Sequence, residues 1–100
     1  MEKFGLWVML KAKAGKETEL VAFLRSAVPL VEAEAGTISW YALQVGPSTF
    51  GIFDTFAAES GREAHLSGKV AAALMAEAPQ LLTEAPSIQK IDLLAAKGAK

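Results

Sequence analysis

Large apolar side chains on both faces of the predicted β-strands limit the folds open to this chain more than any other feature. Residues 4–13 alternate as a strand does, so that Leu6 and Val8 share one face while Trp7 and Met9 share the other. In a single chain, one layer of helices covers only one face of a sheet. The second face therefore needs another covering layer.

Apolar periodicity divides the chain into six segments. In order they are a strand over 4–13, a helix over 16–35, strands over 37–45 and 49–56, a helical region over 57–78 and a strand over 87–96. We expect Ser67-Gly68 to split the second helical region, because glycine disfavours helix. The sequence predicts an α+β domain over residues 1–100 with the ferredoxin-like order β-α-β-β-α-β and a split second helix.

Proline and glycine give three further local expectations. Pro29 lies inside the first helical pattern and predicts a kink, because it lacks an amide hydrogen and clashes with the preceding turn. Gly36 is expected to end that helix as its C-terminal capping residue. Pro79 is expected to start a separate short turn after the second helical region.

The uncovered face of the sheet predicts self-association. An exposed patch of several hundred Å² is more than monomers usually tolerate, and a standard interface buries about 800 Å² per partner. We therefore expect an isologous homodimer in which two sheets pack face to face as a dimeric α+β barrel.

Composition excludes several classes of protein and site. The net charge is −1, so there is no basic excess with which to bind nucleic acid. The chain has no Cys, which excludes disulfides, thiolate nucleophiles and cysteine-ligated metals, and one His alone predicts no metal site. No apolar run has the length of a membrane span. We expect a cytoplasmic protein that contacts no membrane.

Asp54 lies among apolar residues on the third strand, where a carboxylate needs a partner. A two-residue turn at Pro47-Ser48 would place Tyr41 opposite Asp54 and Leu43 opposite Ile52. Either the Tyr41 hydroxyl or the His65 imidazole can then meet Asp54. Two readings stay open: an acid–base pair in a pocket, or a carboxylate that pins a helix to the sheet.

These residues also carry a family resemblance. Gly36-Thr37 precedes an aromatic strand, Phe53-Asp54-Thr55-Phe56 ends the third strand, and His65 follows nine residues after Phe56. This order and spacing resembles the antibiotic biosynthesis monooxygenase domain family, in its small bacterial quinol-monooxygenase-like branch. The resemblance covers nearly the whole chain.

The resemblance implies a dimeric α+β barrel and an oxygenase that works without a cofactor. The substrate would be a quinol or similar phenolic aromatic, which loses a proton so that its anion reduces O₂ directly. On this reading His65 and Asp54 are the candidate bases. The side chains implied to line the substrate site are Tyr41, Leu43, Ile52 and Phe56.

Two other functions remain open for the same fold. One is a non-catalytic dimer that binds small ligands or is associated with stress, which would bind aromatic ligands without consuming O₂. The other is an isomerase or decyclising enzyme, which would change its substrate without O₂ uptake.

Overall fold

A computed structural model describes residues 2–98, and within them the predicted order of elements is confirmed. The expected domain limits at residues 1 and 100 lie outside the described residues. The elements are β1 (Phe4–Lys11), α1 (Glu17–Ser26), α2 (Val28–Glu32), β2 (Thr37–Gln44), β3 (Thr49–Phe56), α3 (Glu59–Leu66), α4 (Lys69–Leu81) and β4 (Ser87–Asp92). The second helical region divides at Ser67-Gly68, as predicted.

The four strands form one antiparallel sheet in the order β2-β3-β1-β4. The inner strands β1 and β3 send Leu10, Phe50 and Ile52 towards the helices, where they are buried with Leu20 and Leu74. Each such side chain stabilises the fold by about 1.5–3 kcal/mol through the hydrophobic effect. This arrangement confirms the predicted ferredoxin-like α+β fold.

The first helical region is interrupted at Ala27, between α1 and α2. Pro29 lies in the first turn of α2, where the missing amide hydrogen has no helical partner to lose, so the predicted kink is confirmed. The expectation for Gly36 is wrong: α2 already ends at Glu32, and Gly36 does not have the left-handed backbone of a capping glycine. Its missing side chain instead permits close contact with Gly61, whose Cα would be 2.8 Å from a Cβ built on Gly36.

The expectation for Pro79 is also wrong, because α4 continues through it to Leu81. Ala78 and Leu81, on either side of the proline, are both buried and hold this last turn against the core. The Lys13 ammonium donates a 2.7 Å hydrogen bond to the Pro79 carbonyl. Packing therefore outweighs the local preference of proline to end a helix. The last strand is shorter than predicted and ends at Asp92.

The predicted register of the β2–β3 hairpin is wrong by one residue. The Val45 amide donates to the Thr49 carbonyl, so three residues rather than two form the connection. Tyr41 pairs with Phe53, and Asp54 instead faces Trp40 across the strands. A shift of one residue exchanges the two faces of a strand. Tyr41 therefore lies on the side of the sheet away from the helices.

The face of the sheet opposite the helices, here called the outer face, is apolar. Tyr41 stacks on Phe53 with ring centroids 6.4 Å apart, and the Tyr41 and Leu43 side chains remain 54% and 38% exposed. The large apolar residues of the outer face are Trp7, Met9, Tyr41, Leu43, Phe53 and Ile91. Between residues 2 and 98, no helix combines the length and apolar character required to cross a membrane.

Candidate functional site

Three ionisable side chains from separate parts of the fold lie in a row. Asp54 projects from β3, His65 from the last turn of α3, and Glu34 from the turn between α2 and β2. His65 Nε2 lies 3.0 Å from Asp54 Oδ2, and His65 Nδ1 lies 2.6 Å from Glu34 Oε1. The imidazole therefore sits between two carboxylates, and it can donate to both only in its protonated form.

Local structure places Glu34 beside His65. The Glu34 amide donates to the Val31 carbonyl and so fixes the turn that follows α2. The Thr37 hydroxyl donates a 2.7 Å hydrogen bond to Glu34 Oε1. The contact between Gly36 and Gly61 brings α3 close to this turn. Since Gly61 and His65 are four residues apart, they share one face of α3, and the same close approach presents His65 to Glu34.

Asp54 is completely buried, with 0% of its surface exposed. Its Oδ1 has no hydrogen-bond partner among residues 2–98, and its contact with His65 is a close ion pair that falls short of an aligned hydrogen bond. Taking a carboxylate out of water costs several kcal/mol unless a cation accompanies it. His65 is the basic group in contact with Asp54, so this histidine compensates the buried charge.

The protonation of His65 follows from two opposed effects. Burial disfavours the charged ring and lowers the pKa of His65, but the contacts with Asp54 and Glu34 and their negative charges raise it by more. The net result is a pKa above the usual value for histidine. The last turn of a helix also favours a cation. The two carboxylates thus stabilise the charged form of the His65 ring.

A cleft of about 300 Å³ opens beside Glu34. Its wall is mainly aliphatic, and its ionisable residues are Glu34, His65 and Lys69. The lining residues are Leu30, Ala33, Glu34, Ala35, Gly36, Thr37, Gly61, Ala64, His65, Gly68 and Lys69. Asp54 is not among them, so the row of charges runs from the core to the cleft.

Comparison with known proteins identifies a close relative of solved structure. No protein-family model matches the chain, and neither does any curated protein. The NE2512 protein of unknown function from Nitrosomonas europaea is 59% identical, its structure superposes with a TM-score of 0.94, and the match covers 97% of this chain and 94% of that one. The chain belongs to the family of NE2512.

More distant members of the same fold carry a functional name. A protein from Nitrosomonas europaea provisionally named an antibiotic biosynthesis monooxygenase has a TM-score of 0.83 at 15% identity, over 96% of this chain and 94% of that one. One from Chloroflexus aurantiacus, with the same provisional name, has a TM-score of 0.72 at 21% identity, over 98% and 99% of the two chains. At these identities the likeness establishes a shared fold between the NE2512 family and these proteins.

The residues predicted to line a substrate site separate in this member of the NE2512 family. Phe56 packs on the His65 ring with centroids 5.5 Å apart, and Ile52 is buried in the core on the same face of the sheet. Tyr41 and Leu43 lie on the outer face because of the register shift, so the predicted meeting of Tyr41 with Asp54 does not occur. Of the six predicted site residues, only His65 lines the cleft.

Sequence reasoning assigned no role to Glu34, although it is the carboxylate at the cleft. The usable signal is the spacing Glu34, Gly36, Thr37, because a hydroxyl three residues after an acid can close a turn on its side chain. The second signal is Gly61, one helical turn before His65. A glycine on the same face as the histidine indicates that the main chain approaches closely there.

The three ionisable groups do not converge as metal ligands would. In the part of the chain that the structure describes, no group of three His, Cys, Asp or Glu residues is arranged to hold a metal ion. His65 separates the two carboxylates, and each of its nitrogens faces one of them. The arrangement suits proton transfer and charge stabilisation rather than metal binding.

Proposed function

We propose that this protein is a cofactor-independent monooxygenase of a quinol or similar phenolic aromatic, and that it acts as a homodimer. The observation that carries the proposal is the row of Asp54, His65 and Glu34, which ends in a mainly aliphatic cleft. A base at the edge of a dry pocket is what this chemistry requires of a protein. The fold shared with proteins of that provisional name supports the same assignment.

The proposed reaction inserts one oxygen atom at an activated ring carbon. The base removes the phenolic proton, and the resulting anion gives electrons to O₂ and forms a carbon–oxygen bond, which becomes a hydroperoxide when a proton returns. Loss of the proton on that carbon then breaks the oxygen–oxygen bond. The products are a carbonyl and water, so one atom of O₂ enters the substrate and the other leaves as water.

The outer face supports the homodimer. Tyr41 and Leu43 are large, apolar and exposed in a single chain, and they adjoin Trp7, Met9 and Phe53. A face of one four-stranded sheet offers about the 800 Å² per partner that a standard interface buries. Two copies packed outer face to outer face remove this surface from water.

Oxygen consumption in the presence of a panel of quinols and anthrones tests the activity. We expect uptake by the wild-type protein, with kcat reduced about 10²–10⁴-fold in Asp54→Asn and His65→Gln. Glu63→Gln is the control, since Glu63 is an exposed carboxylate on the same helix and forms an ion pair with Lys90, away from His65. Its oxygen uptake should match that of the wild type.

The same panel separates the alternative functions. Thermal stabilisation by an aromatic compound without O₂ uptake would favour a binding protein. Conversion of the compound without O₂ uptake would favour an isomerase. Either result would reject the monooxygenase.

A further inference from the structure

The two nitrogens of His65 are both occupied by carboxylate oxygens, at 2.6 Å from Glu34 and 3.0 Å from Asp54. The ring therefore has no free nitrogen to offer a ligand. The exposed fractions of the side chains follow the same order: 0% for Asp54, 8% for His65 and 20% for Glu34. A molecule that enters the cleft reaches the Glu34 carboxylate before it reaches either of the other groups.

The two oxygens of Glu34 have different surroundings. Both side-chain hydrogen bonds that Glu34 receives from residues 2–98 fall on Oε1, one from the Thr37 hydroxyl and one from His65 Nδ1. Oε2 lies towards the cleft wall, 3.5 Å from the position of a Cβ built on Gly68. The bonds to Oε1 hold the carboxylate in place, and Oε2 is the oxygen left to accept a hydrogen bond from a ligand.

We infer that Glu34, through Oε2, is the group that accepts the hydroxyl proton of a phenolic ligand, and that His65 and Asp54 are positioning residues. The identity of the ligand rests on the proposed function. In this step the phenolic O–H bond breaks, the proton passes to Oε2, and the electron pair remains on the phenolic oxygen. Lys69, at the start of α4, is also among the residues that line this cleft.

Charge around Glu34 agrees with this assignment. His65 on α3 and Lys69 on α4 are the basic residues that line the cleft, and Thr37 on β2 presents a neutral hydroxyl. An ionised carboxylate at this position accepts a hydrogen bond from a neutral phenol and repels a phenolate. The glutamine variant has lost that repulsion, because its side-chain amide is neutral and donates hydrogen bonds.

The assignment is tested by measuring the affinity for 4-nitrophenol at a pH below the pKa of its hydroxyl and again at a pH above it. We expect the wild type to bind the neutral phenol roughly ten- to a hundredfold more tightly than the phenolate, the range of a hydrogen bond to a charged group. Glu34→Gln should lose this preference, and Glu63→Gln should keep it. The methyl ether 4-nitroanisole has no hydroxyl, so its affinity should be equal in the wild type and Glu34→Gln.

Oxygen uptake provides the second measurement. Glu34→Gln should lower kcat by about 10²–10⁴-fold with a smaller change in KM, and Glu34→Asp, which retains the carboxylate, should recover part of kcat. If Glu34→Gln does not unfold cooperatively, the comparison of Glu34→Asp with the wild type in both assays replaces it. In the binding assay, Glu34→Asp should still bind neutral 4-nitrophenol more tightly than its phenolate, but by a smaller factor than the wild type.

The outcomes distinguish this assignment from the proposed function. A wild type that fails to bind 4-nitrophenol, or that binds phenol and phenolate equally, overturns the role of Glu34. So does a Glu34→Gln variant with unchanged kcat. If no quinol supports O₂ uptake but the phenol preference depends on Glu34, the monooxygenase is rejected and the role of Glu34 as proton acceptor stands.

Discussion

Replacement of Gly36 by alanine would test whether the contact between two glycines sets the distance between Glu34 and His65. The new methyl carbon would lie 2.8 Å from Gly61 Cα, whereas non-bonded carbon atoms rest about 3.5–4.0 Å apart, so the two segments must separate by roughly 1 Å. Overpacking of this kind costs about 1–3 kcal/mol. Loss of the His65–Glu34 hydrogen bond would add about 1.5–3 kcal/mol.

Thermal unfolding followed by circular dichroism measures this cost. In a domain of this size, 1 kcal/mol corresponds to about 4–8 °C, so the two costs together should lower the Tm of Gly36→Ala by about 10 °C or more. Gly61→Ala approaches the same contact from α3, since its Cβ would lie 2.8 Å from the Gly36 carbonyl oxygen. Its Tm should also fall, although alanine favours helix by about 1 kcal/mol.

Gly46→Ala is the matched control for these variants. The nearest atom to a Cβ built on Gly46 is 3.9 Å away, and its backbone is not left-handed. Its Tm should stay close to that of the wild type. If Gly36→Ala has the same Tm as Gly46→Ala, and the NMR titration of His65 is the same as in the wild type, then the glycine contact does not set the geometry of the site.

Three further predictions concern pH, assembly and a buried cation. Because the folded pKa of His65 is raised, its stabilising contribution is complete below the unfolded pKa of about 6.5 and is lost as pH rises through the higher folded pKa. Urea unfolding from acidic to alkaline pH should show this decline in the wild type, and a parallel profile in His65→Gln would contradict it. Tyr41→Lys places a charge on the outer face, so sedimentation should detect a folded monomer, and an unchanged dimer would exclude the outer face as the interface. Arg62→Met removes two hydrogen bonds to carbonyls of β1 and β4, and thermal melting should show a loss of about 1–3 kcal/mol; an unchanged Tm would mean that those bonds do not stabilise the sheet.

The order of elements was predictable because periods of 2 and 3.6 residues are local properties of a sequence. The errors arose where distant contacts decide the structure. Gly36 is required by the approach of Gly61, which lies 25 positions away in the sequence, and not by its own backbone angles. Pro79 stays inside α4 because buried residues on both sides hold the turn. Neither contact leaves a periodic pattern.

Part of the site was predictable from the sequence, namely the contact between Asp54 and His65, whereas Glu34 was not. A buried carboxylate demands a partner, so Asp54 indicated that His65 or Tyr41 must lie near it. No comparable demand pointed to Glu34, because an acid that follows a helix is ordinarily solvated. Its placement depends on the approach of α3 to the turn after α2, which only the tertiary structure reveals.

The hairpin explains why the side of the sheet that carries Asp54 was predicted correctly and the side that carries Tyr41 and Leu43 was not. Asp54 alternates with Phe50, Ile52 and Phe56 along its own strand, so its side of the sheet is fixed by β3 alone and does not depend on the register of β2. The side on which Tyr41 lies depends instead on whether the connection has two residues or three. An odd length places Tyr41 opposite Phe53 and leaves it exposed on the outer face. The same one-residue difference therefore removes an aromatic group from the buried charges and adds it to the surface proposed for the dimer.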